Sequence, residues 1–157
     1  MSKRYKYTTA IKVRFQVEGI HRWDPKHVGV PAPAAVKFLE QPHRHMFHWE
    51  IILNIGAARD IEFIAFKREA KAIVEQFITP IDKCVSISCE EMAQLFHQHV
   101  NKHLNQESQN VSVDYQDAIT QIEVSEDGEN AAILAFFEDT SPRVKMINGS
   151  SRMSTTF

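Results

Sequence analysis

The stretch "PHRHMFHWE" places His43, His45 and His48 close together and leads straight into alternating apolar residues. Imidazole is the commonest metal-ligating side chain and titrates near neutral pH, so the spacing of these three matters. On an extended chain, successive side chains leave opposite faces. His43 and His45 therefore leave the same face and can converge on one ion, while His48 leaves the other. A third ligand has to come from elsewhere in the chain. His21 stands just past an N-terminal strand and shares the parity of Val13, Phe15 and Val17. If that strand pairs with the one that begins near His45, the three imidazoles meet. Three neutral imidazoles with an open fourth position form the donor set of a catalytic-type zinc site, whereas a structural site closes the fourth position with Cys or His. An isolated H-x-H is as easily a pair of solvated histidines at a strand entrance, and spacing alone leaves both readings open. His97, His99 and His103 form a second group, with 99 and 103 a helical turn apart. They lack a third ligand nearby in sequence, and a surface or boundary role is expected for them.

The elements that must hold these side chains follow from hydrophobic periodicity. "IKVRFQV", from Ile11 to Val17, alternates apolar and polar residues with the period of a half-buried antiparallel strand. A second strand, from about His45 to Ile55, puts Phe47, Trp49, Ile51, Leu53 and Ile55 on the face of His43 and His45. Between them, residues 24–42 hold four prolines and one glycine. That composition predicts a long loop with one helical turn at "AAVKFL", and long loops in compact domains are often functional.

Helical spacing then places Phe66, Ala70, Ile73, Val74 and Phe77 on one face of "AFKREAKAIVEQFI", which Pro80 ends. "SISCEEMAQLFHQHVNKHL" opens with Ser88 and Glu91 in a capping-box arrangement and carries the stripe Met92, Leu95, Phe96 and Val100. The last third reads as a hairpin: "VSVDYQDAITQIEV", a turn at "SEDGEN" with Asp127-Gly128 as the reversal signal, then "AAILAFFE". Residues 1–138 are expected to form the domain and 139–157 a polar, extended or mobile tail. The order β-β-α-α-β-β fits an α+β plan in which two helices cover one face of a four-stranded antiparallel sheet.

At 157 residues the chain can bury a core of its own, and 43% hydrophobic with 24% charged residues is an ordinary globular composition. Eighteen Lys and Arg stand against twenty Asp and Glu, so neither nucleic acid nor an anionic membrane is the expected partner. No apolar run approaches the roughly 20 residues of a membrane span, and "MSKRYKYTTA" lacks the apolar core of a signal peptide, which makes the cytoplasm the default compartment. Cys84 and Cys89 are not at C-x-x-C spacing and are expected to be reduced thiols, neither of them a strong zinc pair.

Several of these segments resemble one family. "FQVEGIHRW" resembles the pattern F-S-A-x-H-R-L, and "HRHMF" resembles H-G-H followed by a small or polar residue and an aromatic. "SCEEMAQLF" is similar to the P-T-S-E-N that opens the family's second helix, and "IEVSEDGENAAIL" to its last hairpin. The family is that of 6-pyruvoyltetrahydropterin synthase and 6-carboxytetrahydropterin synthase, and the similarity runs from about Thr9 to Phe137. It implies the tunnelling fold (T-fold), with subunits closed into a homo-oligomeric barrel, a hexamer or similar ring, and sites at subunit interfaces. It implies zinc on His21, His43 and His45, and Glu126 as the carboxylate that accepts the ring-edge N–H donors of a pterin.

The chain also departs from the pattern. Leu39 stands where the family keeps its proton-abstracting cysteine, and Arg44 replaces the middle glycine, placing a charge at the mouth of the site. No Asp-His pair appears in "FITPIDKCVSIS". The expectation is a divergent zinc protein that binds a pterin, purine or related nucleotide at a subunit interface, with little of the family's own turnover. Any lyase or hydrolase chemistry would draw its base from Glu40, Asp82, Cys84 or a water on the zinc. The alternatives are an inactive ligand-binding or sequestering module and a structural oligomer without metal.

Overall fold

The computed structural model describes residues 9–55, 61–78, 84–104 and 114–137. Asp82, Pro80, residues 111–113 and the tail 139–157 lie outside the described residues.

Four strands, β1 (Thr9–His21), β2 (His43–Ile55), β3 (Ile119–Glu126) and β4 (Asn130–Ala135), form an antiparallel sheet in the order β1-β2-β3-β4. The first strand runs further than its alternating segment predicts. Its extension is held by β2, which pairs Val17 with Phe47, Gly19 with His45 and His21 with His43. His21 is therefore the last residue of a strand and not a loop residue beyond it.

Helices α2 (Phe63–Ile78) and α3 (Cys89–Leu104) lie on one face of this sheet, α2 against β1 and α3 against β3 and β4. The strand parity read from the sequence accounts for the layer between them. Val13, Phe15 and Val17 join Phe47, Trp49, Ile51 and Leu53, then Ile122 and Val124, in one buried cluster with Phe66, Ala70, Ile73, Val74, Met92, Phe96 and Val100. Burying each large apolar side chain contributes about 1.5–3 kcal/mol. A one-residue slip of β2 would turn its whole apolar set to the outer face, so the register is strongly specified. Ile78 is the last buried residue of α2, while Phe77 is only half-buried, its ring 6.3 Å from that of Trp49.

The start of α3 forms the predicted capping box. The Glu91 N–H donates to Ser88 Oγ at 3.3 Å, and the Ser88 N–H donates to Glu91 Oε2 at 2.8 Å. The long loop holds a short helix α1 (Pro25–Val28), capped by the Asp24 side chain, and a 3-10 segment over Ala34–Glu40.

Besides α1 and the longer β1, the start of the last hairpin differs from the sequence reading. Part of "VSVDYQDAITQIEV" is helical: α4 (Tyr115–Ala118) precedes β3, which begins only at Ile119. Asp114 caps the turn by accepting the Asp117 N–H, and Asn101 of α3 accepts the Tyr115 and Gln116 N–H groups at 2.8 and 3.1 Å. These bonds satisfy the donors that a strand would have given to a neighbour. Among the described residues no helix is long and apolar enough to cross a membrane.

Candidate metal centre

At one end of the sheet the buried apolar column changes character. Beyond Val17 and Phe47 come Gly19 opposite His45 and then His21 opposite His43, all on the helix-covered face. The ligand atoms of His21, His43 and His45 lie within 4.8 Å of one another. Their ring centroids are 4.7 to 5.0 Å apart, and the planes stand at 66° to 84°. Phe47 floors the group, its ring centroid 5.3 Å from that of His21. Gly19 makes room for this arrangement: a Cβ there would run into the Ile78 side chain and approach the Phe47 ring to 3.1 Å.

Each imidazole is oriented by an oxygen on its outer side. His43 Nδ1 lies 2.7 Å from the Gln41 carbonyl, and His45 Nδ1 lies 2.5 Å from Asp127 Oδ2. The His21 ring bonds to the Ile87 backbone. A carbonyl or carboxylate can only accept, so the His43 and His45 rings each carry a proton on Nδ1, which leaves Nε2 as the nitrogen that can ligate. All three Nε2 atoms are buried without a hydrogen-bond partner; among the described residues, only Trp49 Nε1 shares that condition. Leaving a buried polar atom unsatisfied costs about 1–3 kcal/mol, so three such atoms facing one point fit a cation as their common partner. Ligating histidines usually donate their other N–H to a carboxylate or carbonyl, as His43 and His45 do here. Burial pushes the His21 pKa down, with His43 and His45 acting in the same direction and the Glu126 carboxylate opposing them. A neutral ring is the form that ligation needs.

Asp127 is placed by the hairpin turn between β3 and β4. Asp127 and Gly128 both take positive φ, 52° and 77°, and the Glu129 N–H closes the turn on the Glu126 carbonyl at 2.9 Å. Asp127 Oδ1 accepts the Met46 N–H at 2.9 Å while Oδ2 faces His45. That backbone N–H, and then His45, hold the Asp127 carboxyl below the usual carboxylate range.

Glu126 closes the group from β3. It pairs with Phe47 and shares the core face. Its Oε1 lies 3.2 Å from His21 Nε2 and its Oε2 3.8 Å from His45 Nε2. The Cys89 thiol, at the start of α3, donates to Oε1 at 3.9 Å. Burial, followed by the Glu126 and Glu90 carboxylates, pushes that thiol up to about 12, so it stays protonated. A cavity of about 650 Å³ opens beside His21, His43 and Glu126, with Arg22, Leu39 and Cys89 also in its wall. That volume is in the range of small-molecule sites. A larger groove of about 960 Å³ runs past Arg14, Glu18 and Lys67 and also touches β2 and β3 at His48 and Ser125, but it contains none of the convergent nitrogens.

The structure thus brings His21, His43, His45 and Glu126 together. Glu40 stands apart: its Oε1 accepts the Ala32 N–H at 3.0 Å and Lys37 Nζ at 2.6 Å. Cys84 lies 3.8 Å from the Val85 carbonyl, its thiol pushed up by burial. Neither lines the cavity. Arg44 is on the opposite face of β2, paired with Glu18 at 2.9 Å, and not at the mouth of the site, because it has the other parity from His43 and His45. His48, also outward, contacts Gln16 at 3.2 Å. Asp127 and Cys89 were not singled out as site residues. Asp127 had shown only its turn signal, and its role depends on β2 and β3 lying side by side.

No protein-family profile matches the chain, and no curated protein sequence matches it. Among solved structures the chain is similar to 6-pyruvoyl tetrahydropterin synthase of Caenorhabditis elegans, with a TM-score of 0.57 and 9% sequence identity over 83% of this chain and 97% of that one. At that identity the likeness is one of fold. The chain has the α+β T-fold: a four-stranded antiparallel sheet with helices on one face.

Proposed function

We propose that the chain is a divergent relative of the 6-pyruvoyl- and 6-carboxytetrahydropterin synthases that holds zinc on His21, His43 and His45. In the adjoining cavity it binds a pterin, purine or related nucleotide. The observation that carries the reading is the set of three buried Nε2 atoms without a hydrogen-bond partner, two of them on rings whose Nδ1 is committed to an oxygen. Zinc suits a donor set of three imidazoles, and when bound it supplies Lewis acidity toward a carbonyl or water. Glu126, in the wall of the same cavity, supplies the acceptor for the adjacent N–H donors of the heterocycle.

Binding is favoured over the synthase reaction. Leu39 lines the cavity where the family has its proton-abstracting cysteine, and leucine cannot exchange a proton. Cys89 is held protonated, and Glu40 and Cys84 stand away from the cavity. Loss of a positioned acid-base group typically lowers a rate by about 10²–10⁴-fold. Lyase or hydrolase action on a side chain beside the zinc is the second reading, and it rests on the metal's chemistry alone. Assembly belongs to the proposal too. The outward residues of β1 and β4 are exposed, and a homo-oligomeric ring, a hexamer or similar, would cover sheet edges that a lone chain leaves open.

The test combines neopterin binding with turnover of dihydroneopterin triphosphate, on zinc-loaded and chelator-stripped protein. The expected result is saturable, zinc-dependent binding with only trace conversion. Full synthase turnover would show that another group does the cysteine's work. Absence of binding to zinc-loaded protein by any pterin or guanine-type probe would refute the ligand class.

A further inference from the structure

Glu126 faces two ways, into the cavity and toward the three imidazoles, and the second direction carries an inference that rests on the zinc reading above. His21 Nε2 is buried and has no hydrogen-bond partner. Glu126 Oε1 sits 3.2 Å from that nitrogen and makes no hydrogen bond to it. Oε2 sits 3.8 Å from His45 Nε2. Such approaches are close to the spacing expected of two ligands on one cation. At zinc–ligand distances of about 2.0–2.2 Å, tetrahedral ligand atoms lie roughly 3.3–3.6 Å apart. The carboxylate is steered toward this position from both sides. Its residue ends β3, directly before the turn that presents Asp127 to His45, and the Cys89 thiol donates to Oε1. A carboxylate would also offset part of the dication's charge in a site whose other three ligands are neutral.

We propose that Glu126 is the fourth metal ligand of the chain when the cavity holds no ligand, closing a site that three histidines alone would leave open. The same carboxylate then has two partners. A heterocycle that takes the Glu126 oxygens through its ring-edge N–H donors draws them from the metal and opens the fourth position beside itself. Metal and ring compete for one side chain, and the open position appears only where a ligand is seated.

Cobalt(II), which reports its coordination in its visible spectrum, tests this on the full chain loaded in place of zinc, with azide as a small probe for an open position. Wild-type protein should take cobalt and change little on addition of azide. Glu126→Ala and the isosteric Glu126→Gln should bind cobalt about 10–100-fold more weakly and take azide readily, with a marked spectral change; losing a group that only hydrogen-bonds a ligand already reaches that size, and a direct ligand should cost no less. Wild-type protein that takes azide as readily as the variants would overturn the proposal while leaving the histidine site intact. So would variants whose cobalt spectrum and affinity match the wild type. Failure of wild-type protein to take cobalt would overturn both this proposal and the zinc reading on which it rests. The wild-type azide result decides the matter even if a variant fails to fold.

Discussion

The chain contains the H-x-H pattern twice, in β2 at His43 and His45 and in α3 at His97 and His99. The two copies end in different chemistry. In the strand, residues two apart share a face, and the copy meets His21 across the β1–β2 ladder. In the helix, residues two apart point roughly 200° from each other. His97 turns to the Gln116 carbonyl at 3.3 Å and stacks on Phe136, while His99 Nδ1 bonds the Leu95 carbonyl of its own helix at 2.7 Å. His103, a turn beyond His99, keeps its ring 6.4 Å away. Among the described residues the helix copy leaves no buried imidazole nitrogen unpartnered, and the strand copy leaves two, with His21 adding a third. Spacing between histidines is therefore informative only together with the backbone that carries them.

The largest effects should separate the two copies. His45→Ala and His21→Ala are each expected to weaken zinc binding by at least about 100-fold, because a two-ligand remnant with its supporting bonds disturbed holds metal poorly. His97→Ala and His99→Ala should leave the affinity at its wild-type value in the same competition titration. A strong loss of zinc from either helix variant would show that the strand group is not the site.

Asp127→Asn sharpens the comparison by acting through His45. The amide can offer its N–H or its carbonyl but no carboxylate, so orientation and basicity of the imidazole should weaken together. About 10–100-fold in zinc affinity is expected, with little change in the unfolding midpoint. An unchanged affinity would reduce the Asp127 contact to a feature of the turn.

Gly19→Ala probes the packing that lets histidine follow valine on the same face. Its Cβ would press Ile78 and Phe47, and the expected cost is about 1–3 kcal/mol in urea unfolding. Ser88→Ala should cost about 1 kcal/mol by removing the acceptor for the Glu91 N–H, with zinc content unaffected. If Ser88→Ala also emptied the metal site, the start of α3 would be part of the centre and not merely beside it.

These expectations reflect what could be read from the chain. The parity of β2, the pairing partner of His43, the helical stripe of α2 and the Ser88–Glu91 cap are local or nearly local patterns, and the structure contains each of them. The helical turn at Tyr115–Ala118 was hidden because what favours it, Asn101, lies on another helix. Asp127 announced a reversal through its neighbour Gly128, but its contact with His45 depends on the register of β2 against β3. Arg44 was expected at the mouth of the site, although its place in the alternation already assigned it to the other face. Glu40 and Cys84 had the right functional groups, but their surroundings engage them elsewhere: Glu40 accepts the Ala32 N–H across the loop and pairs with Lys37 three residues before it, and Cys84 faces the carbonyl of its neighbour Val85.

The central claim is that three strand-borne imidazoles hold one metal ion, and zinc content measured on purified protein tests it most directly. Protein prepared without chelator, and again after stripping and reconstitution, should carry one zinc per chain by elemental analysis, and His43→Ala treated identically should carry essentially none. Wild-type protein that neither retains zinc nor takes it up on reconstitution would contradict the account.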